Sequence, residues 1–600
     1  MDNDDGADSA LLGRLARTLN GPRPWYWAAL LGLLLTLPSL DLGWMADDHL
    51  LRANLLRDPR LPELQTATWD AFHFFPPPAR GTAGIDQGYG VWWAAIDGYA
   101  RHLRPLAALS HGLELQLWPQ QPWLMHLQSA LWYAALCGVA AALFRRLMGG
   151  WAAGLAVLFY TADYTHGMAA AWIANRNALM AATLGLAALL LHHRARLHGD
   201  RPAAVAAPLL LAAGLGAGEV ALATAAFLVA HVATLESGNL AQRLRSLAPY
   251  LGVGGVWLAA YLAGEFGAHG SGLYLQPSSL AYVQALPTHL LLLLGSELGG
   301  AGPDLWPLVE LGPRLGLAAV AALALLTAVV ALWPILKRQA NARFLALGAL
   351  LSALPLCATC PSSRLALVPG FGLVGLAAMA VAEWRASPAG QRRRVQAVFA
   401  VWAGGMHLLL SPLLFLVMVR QSPATEAGIA ALVRQIPNEP AVSRQRLIIV
   451  NLPDVLYTLY LRAALAGQGQ MRAVPQGTYV LGLGTHDLTL TRRDPQTVVV
   501  RDPAGFYGQD FSLLLRQADA PMAVGEQVAT ATATAKVLAA RDGVPTEVEF
   551  RFGVPLEDAS LRWVAWHGDS LLPFAVPAVG ATAQLPAQVH PLMQPPRGGR

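Results

Sequence analysis

The sequence predicts an α-helical polytopic membrane protein that continues into a small C-terminal α/β domain rich in β-strands. Of its 600 residues, 55% are hydrophobic and 13% are charged, whereas ordinary soluble domains carry about 25% charged residues. A chain this apolar cannot cover its hydrophobic surface inside one water-soluble core. Long apolar runs separated by clusters of arginine therefore indicate a protein that crosses the membrane many times.

About eleven apolar runs are candidates for transmembrane helices, and Arg14, Arg17 and Arg23 before the first run predict a cytoplasmic N-terminus. An odd number of spans then leaves the C-terminus outside. The predicted spans are 25–42, 123–144, 151–165, 173–193, 203–217, 219–235, 247–264, 315–336, 345–358, 365–383 and 398–419.

These spans divide the chain into three regions. Residues 1–24 are predicted to be a cytoplasmic segment, and residues 25–420 a membrane domain with outer loops at 43–121 and 265–313. The first outer loop, with its Trp, Pro and Gly residues, is expected to form short helices on the membrane surface. The second is expected to carry an interfacial helix.

Residues 421–600 differ from the rest of the chain and predict a soluble outer domain. One short apolar run is typical of a buried strand, a helix is expected after it, and later runs alternate or are rich in β-branched residues. The predicted strands are 447–450, 488–491, 498–500, 548–552 and 561–566, and the helix is 454–465.

Several function classes are disfavoured. The net charge of +5 is small, no nucleic-acid-binding motif is present, and three cysteines are too few for a disulfide framework. Cys357 and Cys360 form a C-x-x-C pair without a thioredoxin-like context and without a second pair of metal ligands. They are interpreted as a structural clip or as two buried thiols.

An acidic pair follows the first predicted span, in Trp44-Met45-Ala46-Asp47-Asp48-His49-Leu50. Two neighbouring carboxylates repel each other and raise one pKa, which suits a general base that works near neutral pH. A metal ligand, a structural anchor and a solvated loop end are the alternatives. Ionisable groups near membrane depth favour a functional role.

Further charged residues are predicted on the same outer face. Arg104 and Arg364 offer guanidinium groups that fit a phosphate, although Arg104 could instead extend its charge toward the membrane surface. Arg176 ends an apolar helix and requires an anionic partner, either a bound phosphate or a protein carboxylate. Glu219 is expected to form a structural pair with Arg176 or to bind a substrate hydroxyl. His49 and His126 complete the set of candidate binding residues.

Taken in order along residues 25 to 420, these motifs resemble the multi-spanning GT-C glycosyltransferases, and among them the protein O-mannosyltransferases and the transmembrane mannosyltransferases with tetratricopeptide repeats. Ala217-Gly218 stands where relatives often carry a lysine before the glutamate, and no tetratricopeptide repeats follow. The matching motifs are Asp47-Asp48, Arg104-Pro105-Leu106, Trp172-Ile173-Ala174-Asn175-Arg176, Gly218-Glu219 and Ser363-Arg364-Leu365 with Val368-Pro369 and Gly372.

The resemblance implies a sugar donor linked to polyprenyl phosphate and a glycan, lipid or protein acceptor. Asp47 would deprotonate the acceptor hydroxyl, Asp48 would assist it, and arginines would stabilise the departing lipid phosphate as the anomeric carbon inverts. No cofactor is implied, and a divalent cation is left open. The implied location is a bacterial inner membrane with a periplasmic active site.

Two other functions remain open. A transporter of lipid-linked sugars would have polar residues near mid-membrane or broken helices in paired halves, whereas the acids and arginines here cluster toward one face. A non-catalytic scaffold derived from such enzymes would use the outer domain as its working part.

Overall fold

The computed structural model describes residues 18–74, 82–299, 302–308, 311–388, 394–421, 423–508, 510–517, 520–568 and 570–588. Most of the predicted cytoplasmic segment, including Arg14 and Arg17, lies outside these ranges.

Helices dominate the described chain up to residue 435. Several of them begin with proline in the first turn, where its missing N–H is not needed. In chain order the α-helices are α1 (Pro24–Thr36), α2 (Asp47–Leu55), α3 (Ala83–Gln87), α4 (Pro105–Leu117), α5 (Pro122–Leu147), α6 (Gly150–Thr161), α7 (Gly167–Ala171), α8 (Arg176–His198), α9 (Arg201–Ala217), α10 (Ala221–Thr234), α11 (Leu240–Arg245), α12 (Ala248–Ala263), α13 (Leu280–Glu297), α14 (Leu311–Arg338), α15 (Ala340–Leu356), α16 (Pro369–Ala386), α17 (Arg394–Gly405), α18 (Ser411–Gln421), α19 (Pro423–Gln435) and α20 (Val455–Gly467).

Strands lie mostly in the C-terminal third and form three sheets. A four-stranded mixed sheet has the order β11-β10-β3-β4, a six-stranded antiparallel sheet has the order β12-β5-β6-β9-β8-β7, and β1 pairs with β2. The strands are β1 (Tyr99–Arg101), β2 (Gly267–His269), β3 (Arg446–Leu452), β4 (Gly477–Leu483), β5 (Leu488–Asp494), β6 (Thr497–Arg501), β7 (Gln527–Ala529), β8 (Ala533–Arg541), β9 (Val544–Phe552), β10 (Leu561–His567), β11 (Ser570–Pro573) and β12 (Thr582–Leu585).

The chain divides into two compact units, and neither is continuous in sequence. We call them the helical unit and the mixed unit. The helical unit comprises the described residues within Met1–Gly43, Leu103–Glu265 and Gln276–Ser422; the mixed unit comprises those within Trp44–His102, Phe266–Leu275 and Pro423–Arg600.

Four helical stretches among the described residues are long and apolar enough to cross a membrane: Pro122–Leu147, Ile173–His198, Gly312–Arg338 and Arg394–Arg420. The other predicted spans coincide with helices as short as the 12 residues of α6 and the 13 of α1. A helix needs about 20 residues to cross the hydrocarbon core. The described helices therefore support a membrane protein but do not establish the predicted count of about eleven spans.

Close helix packing holds the helical unit together. Phe144 of α5 stacks on Phe371 of α16 with ring centroids 4.4 Å apart. A Cβ atom at Gly372 would meet the Leu345 carbonyl oxygen of α15, so only glycine allows this approach of the two helices. The hydroxyl of Tyr160 donates to the Leu367 carbonyl at 2.7 Å. The helices thus interdigitate as in the core of a soluble protein.

The C-terminal predictions are confirmed in the mixed unit. The run 447–450 lies within β3, whose residues are almost entirely buried, and the predicted helix is α20. Parallel β3 and β4 flank that helix in sequence, as a βαβ crossover requires. The other predicted strands coincide with β5, β6, β9 and β10.

The described residues within 44–102, most of the first predicted outer loop, belong to the mixed unit and contribute to its core. Trp92 and Trp93 are fully buried. Trp92 packs edge-to-face against Phe506 and Phe550 at 5.2 and 5.7 Å and donates to the Leu481 carbonyl at 3.0 Å. Aromatic side chains of this size gain more from a preformed core than from a surface position. Short helices form in this segment as expected, in α2 and α3, while its place on the membrane surface stays a prediction.

A charged contact fixes the same segment to α20. Arg462 is buried, and its guanidinium donates to Glu63 at 2.6 Å and to the Gln87 carbonyl at 3.0 Å. Asp86 accepts backbone N–H groups of Ala531 and Thr532 at 2.6 and 2.9 Å. These buried polar contacts specify how the loop packs.

We expect Gly88→Ala to destabilise the mixed unit. Gly88 has φ +88° and a Cβ atom there would collide with the Thr478 side chain. The left-handed conformation costs a non-glycine residue about 1–2 kcal/mol, and the forced contact about 1–3 kcal/mol more. Gly525, with φ +90° and open space around a Cβ atom, provides the matched control. Thermal unfolding in detergent should show a larger loss of Tm for Gly88→Ala than for Gly525→Ala; equal losses would rule out the Thr478 contact as a cause.

Candidate functional site

The acidic pair lies in the mixed unit at the start of α2. The preceding residue, Ala46, has φ +49°, a conformation that side-chain-bearing residues rarely adopt. The turn allows Asp48 to reach back, and its Oδ2 accepts the backbone N–H of Met45 at 3.1 Å. Asp48 is 1% exposed. Its carboxylate therefore serves the local structure of the helix start.

Asp47 has a different environment from its neighbour. It remains partly exposed, and its Oδ1 accepts the hydroxyl of Tyr460 at 2.8 Å. Burial raises the pKa of Tyr460 well above its ordinary value, and the Asp47 charge raises it further. Tyr460 therefore stays protonated and holds the Asp47 carboxylate in one orientation.

The other polar residues of α2 are tied to elements of the same unit. His49 Nε2 lies 3.0 Å from Glu426 Oε2 of α19. Arg52 donates to the Gly467 carbonyl at 2.7 Å, and its guanidinium lies 5.2 Å from the Trp44 ring centroid. His49, predicted as a binding residue, thus has a protein carboxylate as its partner.

The predicted residues of the helical unit form separate pairs. Arg104 Nε donates to Glu219 Oε2 at 2.8 Å, and both side chains are partly exposed. Structural pairing of Glu219 was expected, but with Arg176; the partner is Arg104. Which arginine pairs with Glu219 depends on how the helices pack, and this packing cannot be deduced from the sequence.

Arg176 is 0% exposed and has a carboxylate partner that the sequence analysis missed. Its guanidinium pairs with Glu114 of α4 and donates to Gln128 at 2.6 Å, to Ser129 at 2.9 Å and to the Met125 carbonyl at 2.7 Å. The expectation of an anionic partner is met by the internal salt bridge. Glu114, the only acidic residue of α4, was the signal that could have identified it.

His126 is fully buried, and its Nε2 lies 2.8 Å from the Gly43 carbonyl oxygen. This contact, inside the helical unit, gives the imidazole a backbone partner.

Cys357 and Cys360 are free thiols. The sequence analysis interpreted this pair as a structural clip or as two thiols, and in the structure they are two thiols.

Arg364 is the predicted cation with the greatest remaining capacity for an anion. It lies in a 3-10 turn, Ser363–Leu365, and is half-buried. Its Nη1 reaches Asn175 Oδ1 at 3.4 Å, and its guanidinium lies 5.5 Å from the Trp172 ring centroid. Unlike Arg104 and Arg176, it forms no ion pair with a carboxylate in the part of the chain that the structure describes.

A buried carboxylate pair in the helical unit was missed entirely. Asp163 and Glu297 are at most 1% exposed. The hydroxyl of Thr165 lies 2.9 Å from an oxygen of each, and His407 Nδ1 lies 3.7 Å from Asp163 Oδ2. Thr165 thus bridges the two buried carboxylates. Asp163 and Glu297 each follow an apolar run. Ionisable residues in such positions are candidates for functional residues.

Comparison with known proteins gives remote structural neighbours only. No protein-family model matches the chain, and no curated protein matches it significantly. Among solved structures it is similar to apo ArnT from Cupriavidus metallidurans, with 16% identity, a TM-score of 0.38, and coverage of 73% of this chain and 84% of that one. It is also similar to the same ArnT bound to undecaprenyl phosphate, with 14% identity, a TM-score of 0.36, and coverage of 75% and 89%.

At these TM-scores the likeness is too remote to carry residue roles, a substrate or a reaction to this chain.

Proposed function

We propose that this protein is a membrane glycosyltransferase that moves a sugar from a polyprenyl-phosphate donor to an acceptor hydroxyl, with Asp47 as general base. The observation that supports it best is the contrast within the acidic pair. Asp48 is buried and accepts a local backbone N–H, whereas Asp47 is partly exposed and oriented by Tyr460. A general base must be both accessible and held in position, and Asp47 meets both conditions.

The proposed reaction is an inverting displacement. Asp47 takes the proton of the acceptor hydroxyl as its oxygen forms a bond to the anomeric carbon. The bond between that carbon and the phosphate oxygen breaks, and polyprenyl phosphate leaves with the electron pair. A cation beside the leaving phosphate stabilises the charge that develops on it.

Arg364 is our candidate for that cation. A guanidinium offers two parallel N–H groups to phosphate oxygens, and this one has no carboxylate partner in the described chain. Arg104 and Arg176 already pair with Glu219 and Glu114. We therefore narrow the predicted set of phosphate contacts to Arg364, with the partly exposed Arg104–Glu219 pair as a second, weaker candidate.

We further propose that the protein lies in a bacterial inner membrane with about eleven spans and with its active site and C-terminus in the periplasm. The distribution of arginine and lysine supports this orientation, since basic loops remain in the cytoplasm. Lys337 and Arg338 lie in the last turn of α14, Arg343 lies in the first turn of α15, and Arg145 and Arg146 lie in the last turn of α5.

The test compares lipid-linked and protein-linked surface glycans in cells with and without the gene, complemented by wild type or by Asp47→Asn. We expect the deletion to lose one sugar from a glycan and to accumulate its lipid-linked donor. Wild type should restore the sugar, whereas Asp47→Asn should not. An unchanged glycan profile in the deletion strain would favour the non-catalytic scaffold over the enzyme.

Arg364→Gln should weaken donor binding. A hydrogen bond to a charged group contributes about 1.5–3 kcal/mol, so we expect the KM for the lipid donor to rise about 10- to 100-fold. Arg364→Lys should recover part of this effect, because it keeps the charge but loses the guanidinium fork. Arg343→Gln is the control. The Arg343 guanidinium contacts the backbone carbonyls of residues 336 and 337, and its replacement should leave KM unchanged. An unaltered KM in Arg364→Gln would exclude the phosphate contact.

A further inference from the structure

A compact group of three potential metal ligands lies in the helical unit. His192 belongs to α8, His231 to α10, and Glu236 follows the end of α10. One ligand atom from each lies within 4.8 Å of the other two, and no other group of three or more was found among the described residues. The side chains are nearly inaccessible, at 3%, 0% and 2% exposure.

We propose that His192, His231 and Glu236 bind a Zn²⁺ ion that ties the C-terminal end of α8 to the end of α10. Two imidazoles and one carboxylate are a ligand set that zinc accepts, with the fourth position taken by water.

The spacing of the ligand atoms fits such an ion. Glu236 Oε1 lies 3.1 Å from His192 Nε2 and 3.4 Å from His231 Nδ1. Zinc binds nitrogen and oxygen at about 2.0–2.1 Å, and tetrahedral geometry then separates neighbouring ligand atoms by about 3.3 Å. The carboxylate oxygen is therefore at the distance from each imidazole that a shared ion requires.

One ligand atom has a carboxylate neighbour, Glu236 Oε1 at 3.4 Å, but no hydrogen bond of good geometry without the ion. Nδ1 of His231 is buried and forms no hydrogen bond among the described residues, while its other nitrogen, Nε2, lies 3.1 Å from Nδ1 of His193. A buried polar atom without a hydrogen bond is costly. Coordination to a metal would satisfy the Nδ1 lone pair.

Neighbouring groups are placed to orient the ligands. Metal-binding histidines usually hydrogen-bond through the nitrogen that does not bind the metal. Here Nδ1 of His192 lies 3.0 Å from the Tyr250 hydroxyl, and Nε2 of His231 faces His193.

Hydrogen bonds also orient the carboxylate of Glu236. Arg196 donates to Glu236 Oε2 at 2.9 Å, which leaves Oε1 toward the imidazoles. The hydroxyl of Ser246 is also 3.1 Å from Oε1. An ion-paired cluster of Glu236 with His192, His231 and Arg196 is the metal-free alternative, and the zinc measurement below separates it from a zinc site.

The experiment measures zinc in the purified full-length protein without a histidine tag, after incubation with Zn²⁺ and removal of the excess. We expect about one zinc ion per chain in the wild type, and a loss of most of it in Glu236→Gln and in His231→Asn. His198→Gln, which changes an exposed histidine at the end of the same helix, should keep the full amount. Size-exclusion profiles identify any variant that fails to fold.

X-ray absorption on the zinc-loaded wild type provides a measurement that does not depend on the variants. We expect nitrogen and oxygen ligands at about 2.0–2.1 Å with imidazole scattering. Zinc retention no higher in the wild type than in Glu236→Gln, or sulfur in the first coordination shell, would overturn the proposal. Neither readout depends on sugar transfer, so the zinc site and the glycosyltransferase can fail separately.

Discussion

Asp47→Asn should abolish sugar transfer while the protein still folds and inserts. Asparagine has the same size and keeps an oxygen that can accept the Tyr460 hydroxyl, whose bond to Asp47 is 2.8 Å long. It cannot take a proton from an acceptor. General base catalysis contributes about 10²- to 10⁴-fold to a rate, and we expect kcat/KM to fall by that factor. The measurement is transfer of labelled sugar from the host's lipid-linked donors by purified protein.

The neighbouring residue provides the matched control. Asp48→Asn retains an oxygen for the Met45 N–H, so it should lose some stability through the weaker, uncharged acceptor but keep activity within several-fold. Equal losses of kcat/KM in Asp47→Asn and Asp48→Asn would show that both carboxylates contribute to activity by stabilising the structure. Full activity of Asp47→Asn would refute the role of Asp47 as base.

Tyr460→Phe examines how Asp47 is positioned. The substitution removes the 2.8 Å hydrogen bond from the hydroxyl to the Asp47 carboxylate and should alter the pH profile of kcat as well as its magnitude. We expect a loss of about tenfold, less than that of Asp47→Asn, because the proton acceptor itself remains. If the role of Tyr460 were purely structural, Tyr460→Phe would have a lower melting temperature and an unchanged pH profile of kcat.

Local sequence patterns predicted much of the fold, because they act over short distances. The apolar run 447–450 needed only its own residues to indicate a buried strand, and β3 is buried along nearly its whole length. The position of residues 44–102 could not be predicted in this way. Trp92 is buried against Phe506 and Phe550, partners about four hundred residues away in sequence. Only the folded sheet brings them together.

The roles of the charged residues were also predicted only in part. Sequence reasoning predicted that Arg176 requires an anionic partner and that Glu219 forms a structural pair, because unpaired charge in an apolar setting is costly. It could not decide which arginine pairs with which acid, since that choice depends on helix rotation and register. The proximity of His192 to His231 arises only when α8 and α10 pack together, so it could not be predicted from the sequence.

Glu114→Ala should cause the largest loss of stability among single substitutions in the helical unit. It leaves the Arg176 guanidinium, which is 0% exposed, without its carboxylate. Breaking a buried ion pair by removing one partner costs about 3–5 kcal/mol, because the remaining charge stays buried and uncompensated. We expect a corresponding fall in the melting temperature in detergent and a smaller yield of folded protein from membranes.

Replacing both partners distinguishes an ion pair from a substrate contact at Arg176. Two apolar residues of similar volume, as in Glu114→Leu with Arg176→Met, remove both charges and should recover much of the stability, since buried pairs often exchange for apolar packing at little cost. Ser129 and Gln128 keep other hydrogen-bonding options along α5. If the double variant folds and also transfers sugar, Arg176 stabilises the protein and does not bind the donor. If it folds but its KM for the donor rises as in Arg364→Gln, the guanidinium contacts the lipid phosphate after all, and the assignment of Arg176 to structure is wrong.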